Sequence, residues 1–153
     1  GRRLKKQTAT FVLCHADIHL WNVLIDSANR LHIVDWDDTI LAPKERDLMF
    51  VGGGQYGNRR TAQEEETLFY QGYGQTEADS IALAYYRYER IVQDIAAYCE
   101  QILLTDPGSA DRAVGLSQLS SQFKPNAVID LACQSEKFLP PELQSEYRYK
   151  PGL

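Results

Sequence analysis

The chain is short of several features that would settle its class at once. It has 3 cysteines in 153 residues, Cys14, Cys99 and Cys133, an odd number, far apart and with no C-x-x-C pair. A disulfide scaffold and a thiolate zinc site are disfavoured, and a reducing compartment is expected. No run approaches the roughly 20 apolar residues that cross a bilayer. The opening Gly1-Arg2-Arg3-Leu4-Lys5-Lys6 leads into Gln and Thr instead of the apolar stretch of a signal peptide. The expectation is a cytoplasmic protein that touches no membrane. Positive charge is scarce as well, with 16 Lys and Arg against 21 Asp and Glu and a net charge of −5. No general basic surface exists to neutralise phosphates along a nucleic acid, so no nucleic-acid partner is expected. There is no internal repeat and no low-complexity segment.

What is present is ordinary globular composition. Apolar residues make up 44% and charged residues 24%, close to the usual values of about 45–50% and about 25%, so the chain buries a real core. Its length fits one domain, or one piece of a larger one. Residues 1–50 carry 7 basic and 7 acidic groups, whereas residues 51–153 carry 9 and 14. The second part reads first as a solvated acidic face, and it also attracts cations.

The pattern divides in the same place. Residues 11–14, 23–25 and 31–34 read as short strands, the last two joined as a hairpin by Asp26-Ser27-Ala28-Asn29-Arg30. Beyond Thr61 the pattern turns helical. Thr61 with Glu64, and Thr76 with Asp79, match a helix-opening signal in which a hydroxyl and an acid satisfy first-turn N–H groups. The first helix should stop at Gly72. The second, over 77–104, places Ile81, Tyr85, Tyr88, Val92, Ile95, Cys99 and Ile102 on one stripe facing a core. Ser109 caps a third helix reaching about 121, and Pro125 opens a fourth that ends before Pro140-Pro141. The fold expected is α+β and mostly α, with about four helices and a small β-hairpin.

The chemistry lies in His15-Ala16-Asp17-Ile18-His19-Leu20-Trp21-Asn22. An Asp followed five residues later by Asn matches the H-x-D-x-x-x-x-N catalytic loop of kinases. Asp35 follows in Ile33-Val34-Asp35-Trp36-Asp37, where the hairpin returns the chain to Asn22. A carboxylate and an amide are hard oxygen donors of the kind Mg²⁺ favours, with nucleotide phosphates and water completing its shell. Asp17, out on the loop, then orients or accepts the proton of a phosphoryl-acceptor hydroxyl. Because the transition state is loose, positioning matters more than basicity.

Other signals weigh less. Cys14 beside His15 makes no nucleophilic dyad, since successive strand residues face opposite sides. Gly52-Gly53-Gly54-Gln55-Tyr56-Gly57 satisfies G-x-G-x-x-G, but no later strand completes a dinucleotide unit, and a plain loop is the better reading. Asp35-Trp36-Asp37-Asp38-Thr39 resembles the D-x-D-x-T of haloacid-dehalogenase-type phosphatases, which also need a downstream Lys and an acidic pair on parallel strands, whereas past Thr39 the pattern is helical with no paired aspartates. Tyr85, Tyr86 and Tyr88 read as core before they read as a stacking platform, and Glu64, Glu65 and Glu66 as a solvated first helical turn.

His15 to Asn22, Val23-Leu24-Ile25-Asp26, Ile33 to Trp36 and Asp47-Leu48 together resemble the aminoglycoside phosphotransferase family, which shares the protein-kinase fold. The run from Ile33 to Gly53, with Ala42-Pro43-Lys44-Glu45-Arg46-Asp47, is most similar to the spectinomycin phosphotransferase type. The resemblance implies Asp17 as catalytic base, Asn22 and Asp35 as Mg²⁺ ligands, His15 as structural support of the loop and Asp47 as a buried brace of its backbone; Asp37, two residues beyond Asp35, is expected to face the substrate. It implies ATP or GTP as donor and a hydroxyl acceptor, cationic as amino-sugars are. The bulky Leu20-Trp21 departs from the Pro-Gly or small residue that family loops often place just before the Asn, and is expected to narrow the site or to alter what packs above it.

The resemblance covers residues 1–153 as a C-terminal catalytic-loop lobe only, with the glycine-rich phosphate loop and the strand lysine of the nucleotide-clamping lobe absent. Kinase activity is therefore not expected of the chain alone. Apolar surface left open where that lobe docks should favour self-association. The readings from other classes are a non-catalytic remnant that binds a ligand or partner and, behind it, the phosphatase.

Overall fold

The structure, a computed structural model, describes residues 10–52 and 60–144. Four short strands come first: β1 (Phe11–Cys14), β2 (Val23–Ile25), β3 (Leu31–Ile33) and β4 (Ile40–Pro43). They form two separate antiparallel pairs. β1 pairs with β4, Phe11 opposite Pro43 and Cys14 opposite Ile40, while β2 and β3 make the expected hairpin with Val23 opposite Ile33. Asp26 closes that hairpin by accepting from the N–H groups of Ala28 and Arg30, and Asn29 takes the left-handed conformation at φ 59°.

Five helices follow: α1 (Glu45–Leu48), α2 (Ala62–Tyr73), α3 (Ser80–Leu104), α4 (Ala110–Gln122) and α5 (Val128–Ser135). The architecture is α+β and mostly helical. β4 and α1 had no counterpart in the sequence reading. α1 is one turn long, and its ends are fixed from outside: the Glu45 carboxylate accepts from Asp79 N, while Arg87 donates to the carbonyls of Met49 and Val51.

The helix boundaries obey local chemistry, with three corrections. Thr61 and Glu64 cap α2 reciprocally, at 3.2 Å and 2.7 Å. The helix does not stop at Gly72, because an isolated glycine costs only about 1 kcal/mol inside a helix. It stops at Gly74, whose φ of 91° suits a residue without Cβ. α3 is capped by Asp79, whose Oδ1 accepts from Ile81 N and Ala82 N, and not by Thr76, which instead accepts from Lys44 Nζ. Pro125 does not open α5. It lies in a turn closed by Ala127 N on Lys124 O, and the left-handed Asn126 diverts the chain until Val128.

α3 is the spine, about 37 Å long at roughly 1.5 Å per residue. Its first half packs on α1 and α5, where Tyr88 hydroxyl meets the Glu136 carboxylate, and its second half on α4, where Gln101 donates to Asp111 O. Different neighbours at the two ends explain why the expected stripe is not buried throughout: Val92 is 68% exposed, and the deepest positions are Ala82 and Ala84. The core runs from Cys14, Ala16 and Ala42 through Leu48, Met49 and Phe50 to Ile129, Leu131 and Ala132. By contrast Phe11, Leu13, Ile25, Leu31 and Leu41 are each more than 60% exposed, so both strand pairs present apolar side chains to solvent. Among the described residues no helix is long and apolar enough to cross a membrane. Of the glycine-rich run, only Gly52 lies within the described residues.

Candidate active site

The site begins where β1 ends. Cys14 is fully buried with its thiol against the carbonyls of Ala42 and Pro43 on β4. Burial, then the Asp47 carboxylate, push that thiol up to about 11 from its ordinary 9.0. It stays protonated, as an inert packing residue. Ala16 follows in the left-handed region at φ 70°, a conformation that costs an L-residue roughly 1–2 kcal/mol. Asp47 makes the turn tenable: its Oδ2 accepts from His15 N at 2.9 Å and its Oδ1 from Ala16 N at 2.7 Å. Two charge-assisted bonds on one carboxylate outweigh the strain of one residue.

His15 is 2% exposed and links three segments. Its Nε2 lies 2.8 Å from Val34 O, which fixes the tautomer with the proton there, and its Nδ1 accepts from Asp17 N at 3.3 Å. Its ring leans on Trp36 at 4.7 Å between centroids. Asn22 is buried at the end of a 3₁₀ turn (Leu20–Asn22) and donates Nδ2 to Asp17 O at 2.9 Å, which leaves Oδ1 as the side chain's acceptor. Its carbonyl accepts from Val34 N at 3.0 Å. The loop and the end of β3 are thus stitched twice, and Asp35 is the next residue after the stitch. Asp35 is exposed, with its backbone left-handed at φ 66°, and Asp37 and Asp38 occupy the exposed turn before β4. The 3₁₀ turn that buries Asn22 leaves Trp21 82% exposed.

Three residues absent from the sequence reading complete the surroundings of Asp17. Arg90 on α3 donates Nη1 to Asp17 Oδ1 at 2.6 Å and Nε to Asp94 Oδ1 at 2.8 Å. Its guanidinium lies 5.7 Å from the centroid of Phe50, whose ring also meets His19 edge-on. Burial works against the Arg90 charge, but Asp94 and then Asp17 outweigh it and raise its pKa; burial, only partly offset by Arg90, holds Asp94 above the usual carboxylate range. His19 Nε2 stands 3.6 Å from Asp17 Oδ2. The only sequence signal for this group was Arg90 and Asp94 at i, i+4, indistinguishable from a surface pair.

Among the described residues no three His, Cys, Asp or Glu side chains gather as a metal centre. Of the two residues expected to serve as ligands, Asn22 keeps Oδ1 as its side-chain acceptor and Asp35 stands exposed, one amide oxygen and one carboxylate. That set fits Mg²⁺, which asks few ligands of a protein when phosphates supply the rest.

A loop carrying H-x-D-x-x-x-x-N, braced by a downstream Asp and followed by a hairpin and a further Asp, defines a class. Residues 2–90 match the profile of the phosphotransferase enzyme family (APH), and the chain belongs to that family. Within it, the fold is similar to crystal structures of spectinomycin phosphotransferase APH(9)-Ia. The complex with ADP and spectinomycin is 40% identical with a TM-score of 0.75, over 89% of this chain and 42% of that one. The AMP-bound complex is 42% identical with a TM-score of 0.70, over 86% and 41%. An uncharacterized protein of Metamycoplasma hominis is 27% identical over 105 residues, which is 69% of this chain and 19% of that protein. The chain therefore spans less than half the length of these relatives.

Proposed function

We propose that residues 1–153 form the catalytic-loop lobe of a small-molecule kinase, which together with a nucleotide-clamping lobe moves the γ-phosphoryl of ATP or GTP to a hydroxyl of a cationic aminocyclitol or aminoglycoside. The observation that carries this is the double stitch: Asp47 holds the backbone before Asp17, and His15 and Asn22 tie that backbone to the residue before Asp35. One rigid unit thereby presents an acceptor-side carboxylate and two hard oxygens. The likeness to a structure holding ADP and spectinomycin supports the substrate class.

In this reading Asp17 orients the acceptor hydroxyl and takes its proton as the oxygen bonds to the γ-phosphorus and the bond to the nucleoside diphosphate breaks. Asn22 and Asp35 would hold Mg²⁺, which when bound neutralises charge on the phosphates. Asp37 stands in the turn that follows Asp35, where an acceptor ammonium would meet it. The phosphatase reading finds no support in the topology, since every strand pair among the described residues is antiparallel. One observation favours a module that binds without transfer: Asp17 Oδ1 is already engaged by Arg90.

The test is a Mg²⁺ titration of phosphoryl transfer with the chain joined to an N-terminal nucleotide lobe. Asn22→Ala and Asp35→Ala should each raise the Mg²⁺ requirement, and their effects should be non-additive because they serve one ion. Strict additivity would refute a shared site. The chain alone should transfer nothing, since clamping and neutralisation of the triphosphate supply most of this catalysis. With its exposed strand pairs it should also self-associate, which light scattering on a sizing column would read; a clean monomer contradicts that part.

A further inference from the structure

We propose that Arg90 is a positioning residue that splits the Asp17 carboxylate between two tasks, engaging Oδ1 so that Oδ2 is the oxygen that meets the acceptor hydroxyl. The inference rests on the reading of Asp17 given above. Its basis is geometric. The Nη1 to Oδ1 distance of 2.6 Å is that of a strong charge-assisted bond. Among the described residues Oδ2 carries no hydrogen bond, and His19 Nε2 stands 3.6 Å from it, beyond hydrogen-bond reach. Arg90 is itself fixed on two further sides, by Asp94 Oδ1 on Nε and by the ring of Phe50.

The three ionic side chains are only 20–30% exposed, so the pairing is better shielded from solvent than a surface ion pair of little energetic worth. It also crosses the fold. Asp17 sits on the loop after β1 and Arg90 lies 73 residues later on α3, so a short flexible side chain on a strained loop is referred to the longest rigid element of the molecule. A planar guanidinium with separate donors for two carboxylates suits this task, whereas an ammonium supplies the charge without the fixed fork. Asp94 is the second member: it determines where Arg90 points.

Two measurements test this. On the 153-residue chain, ¹⁵N NMR of the arginine side chains should show the Arg90 guanidinium with slowed rotation, told apart from that of Arg87, which is held by the carbonyls of Met49 and Val51, by its loss in Arg90→Gln, and released in Asp17→Asn. Free rotation of Arg90 in the wild type would overturn the proposal. On the chain joined to a nucleotide lobe, Arg90→Gln should lower kcat by about 10- to 100-fold, as small displacements of a reacting group do, with the KM for nucleotide and acceptor within about threefold. Arg90→Lys should recover part of the loss, and Asp94→Asn should lose less than Arg90→Gln. If Arg90→Gln does not fold, as judged by its melting curve, Arg90→Lys and Asp94→Asn decide the matter by the same split between kcat and KM. An unchanged kcat, a raised kcat, or a loss confined to the acceptor KM would each overturn it, the last two marking Arg90 as a block or as a substrate ligand. If the wild type transfers no phosphoryl group at all, it is the proposed function that fails, and the NMR result alone decides whether Arg90 holds Asp17.

Discussion

The two halves of the proposed site are built in opposite ways. Around Asp17 the backbone and one carboxylate oxygen are engaged: the preceding backbone by Asp47, the amide by His15, the carbonyl by Asn22 and Oδ1 by Arg90. Asp35 instead sits exposed on a left-handed residue beyond the last stitch to Val34. The difference follows from the chemistry proposed. A group that must meet a neutral hydroxyl in one geometry gains from being preset, because misplacement by an ångström is costly. A ligand to a hydrated ion arriving with phosphates gains from staying solvated until the ion and the phosphates come.

The comparison is broken most severely at Asp47. Asp47→Ala removes both acceptors and strands two backbone donors under a strained turn, for a loss of about 3 kcal/mol and a melting point lower by about 10 °C. Asp47→Asn, with a single amide oxygen, should fall between. Calorimetry reads both, and a loss of less than about 1 kcal/mol for Asp47→Ala would mean that the carboxylate does not hold the turn.

The next effect is in pH. The buried Cys14 thiol titrates near 11 in the folded chain against 9.0, so the folded state prefers the protonated form. The stability this confers is fully present below pH 9 and is lost as pH rises toward 11. Two units at about 1.36 kcal/mol each give roughly 2–3 kcal/mol. Tyr70, Tyr86 and Tyr88, all raised, push the same way at higher pH, so the comparison that isolates the thiol is wild type against Cys14→Ala. The variant should be less stable at pH 8, with a flatter decline between pH 9 and 11. Parallel declines would place the thiol in contact with solvent.

Smaller effects sharpen the contrast. Ala16→Gly relieves a left-handed alanine but frees the unfolded chain, and the two terms nearly cancel. A change within about 1 kcal/mol is expected in urea unfolding, whereas the β-branched Ala16→Val should cost more. Asp35→Ala, at an exposed position, should alter stability by no more than about 0.5 kcal/mol. A large loss there would show that the metal half is as preset as the acceptor half.

These contrasts also mark what the sequence could convey. The loop and the hairpin were legible because their chemistry is local: Asp17 and Asn22 are five residues apart, and the turn at Asp26 is written in its own residues. The hydroxyl-and-acid signal marked the helix start at Thr61 but was one step off at Thr76, where Asp79 itself is the cap. Pro125 misled because the left-handed Asn126, not the proline, decides where the chain can turn helical. β4 and α1 were missed because their order comes from distant partners, Asp47 reaching back to His15 and Arg87 reaching across from α3. Arg90 is the extreme case. An Arg and an Asp at i, i+4 are common on helix surfaces, and nothing short of the tertiary fold brings this pair to Asp17.

The central claim is that Asp17 serves the acceptor and not the nucleotide. Its most direct measurement is transfer from a Mg²⁺-nucleotide to spectinomycin by the chain joined to a nucleotide lobe, wild type against Asp17→Ala, with nucleotide affinity measured in parallel. The account predicts a phosphorylated product from the wild type, and for Asp17→Ala a fall in turnover far larger than any change in nucleotide binding. Loss of nucleotide affinity with turnover retained, or equal turnover in both proteins, would contradict it.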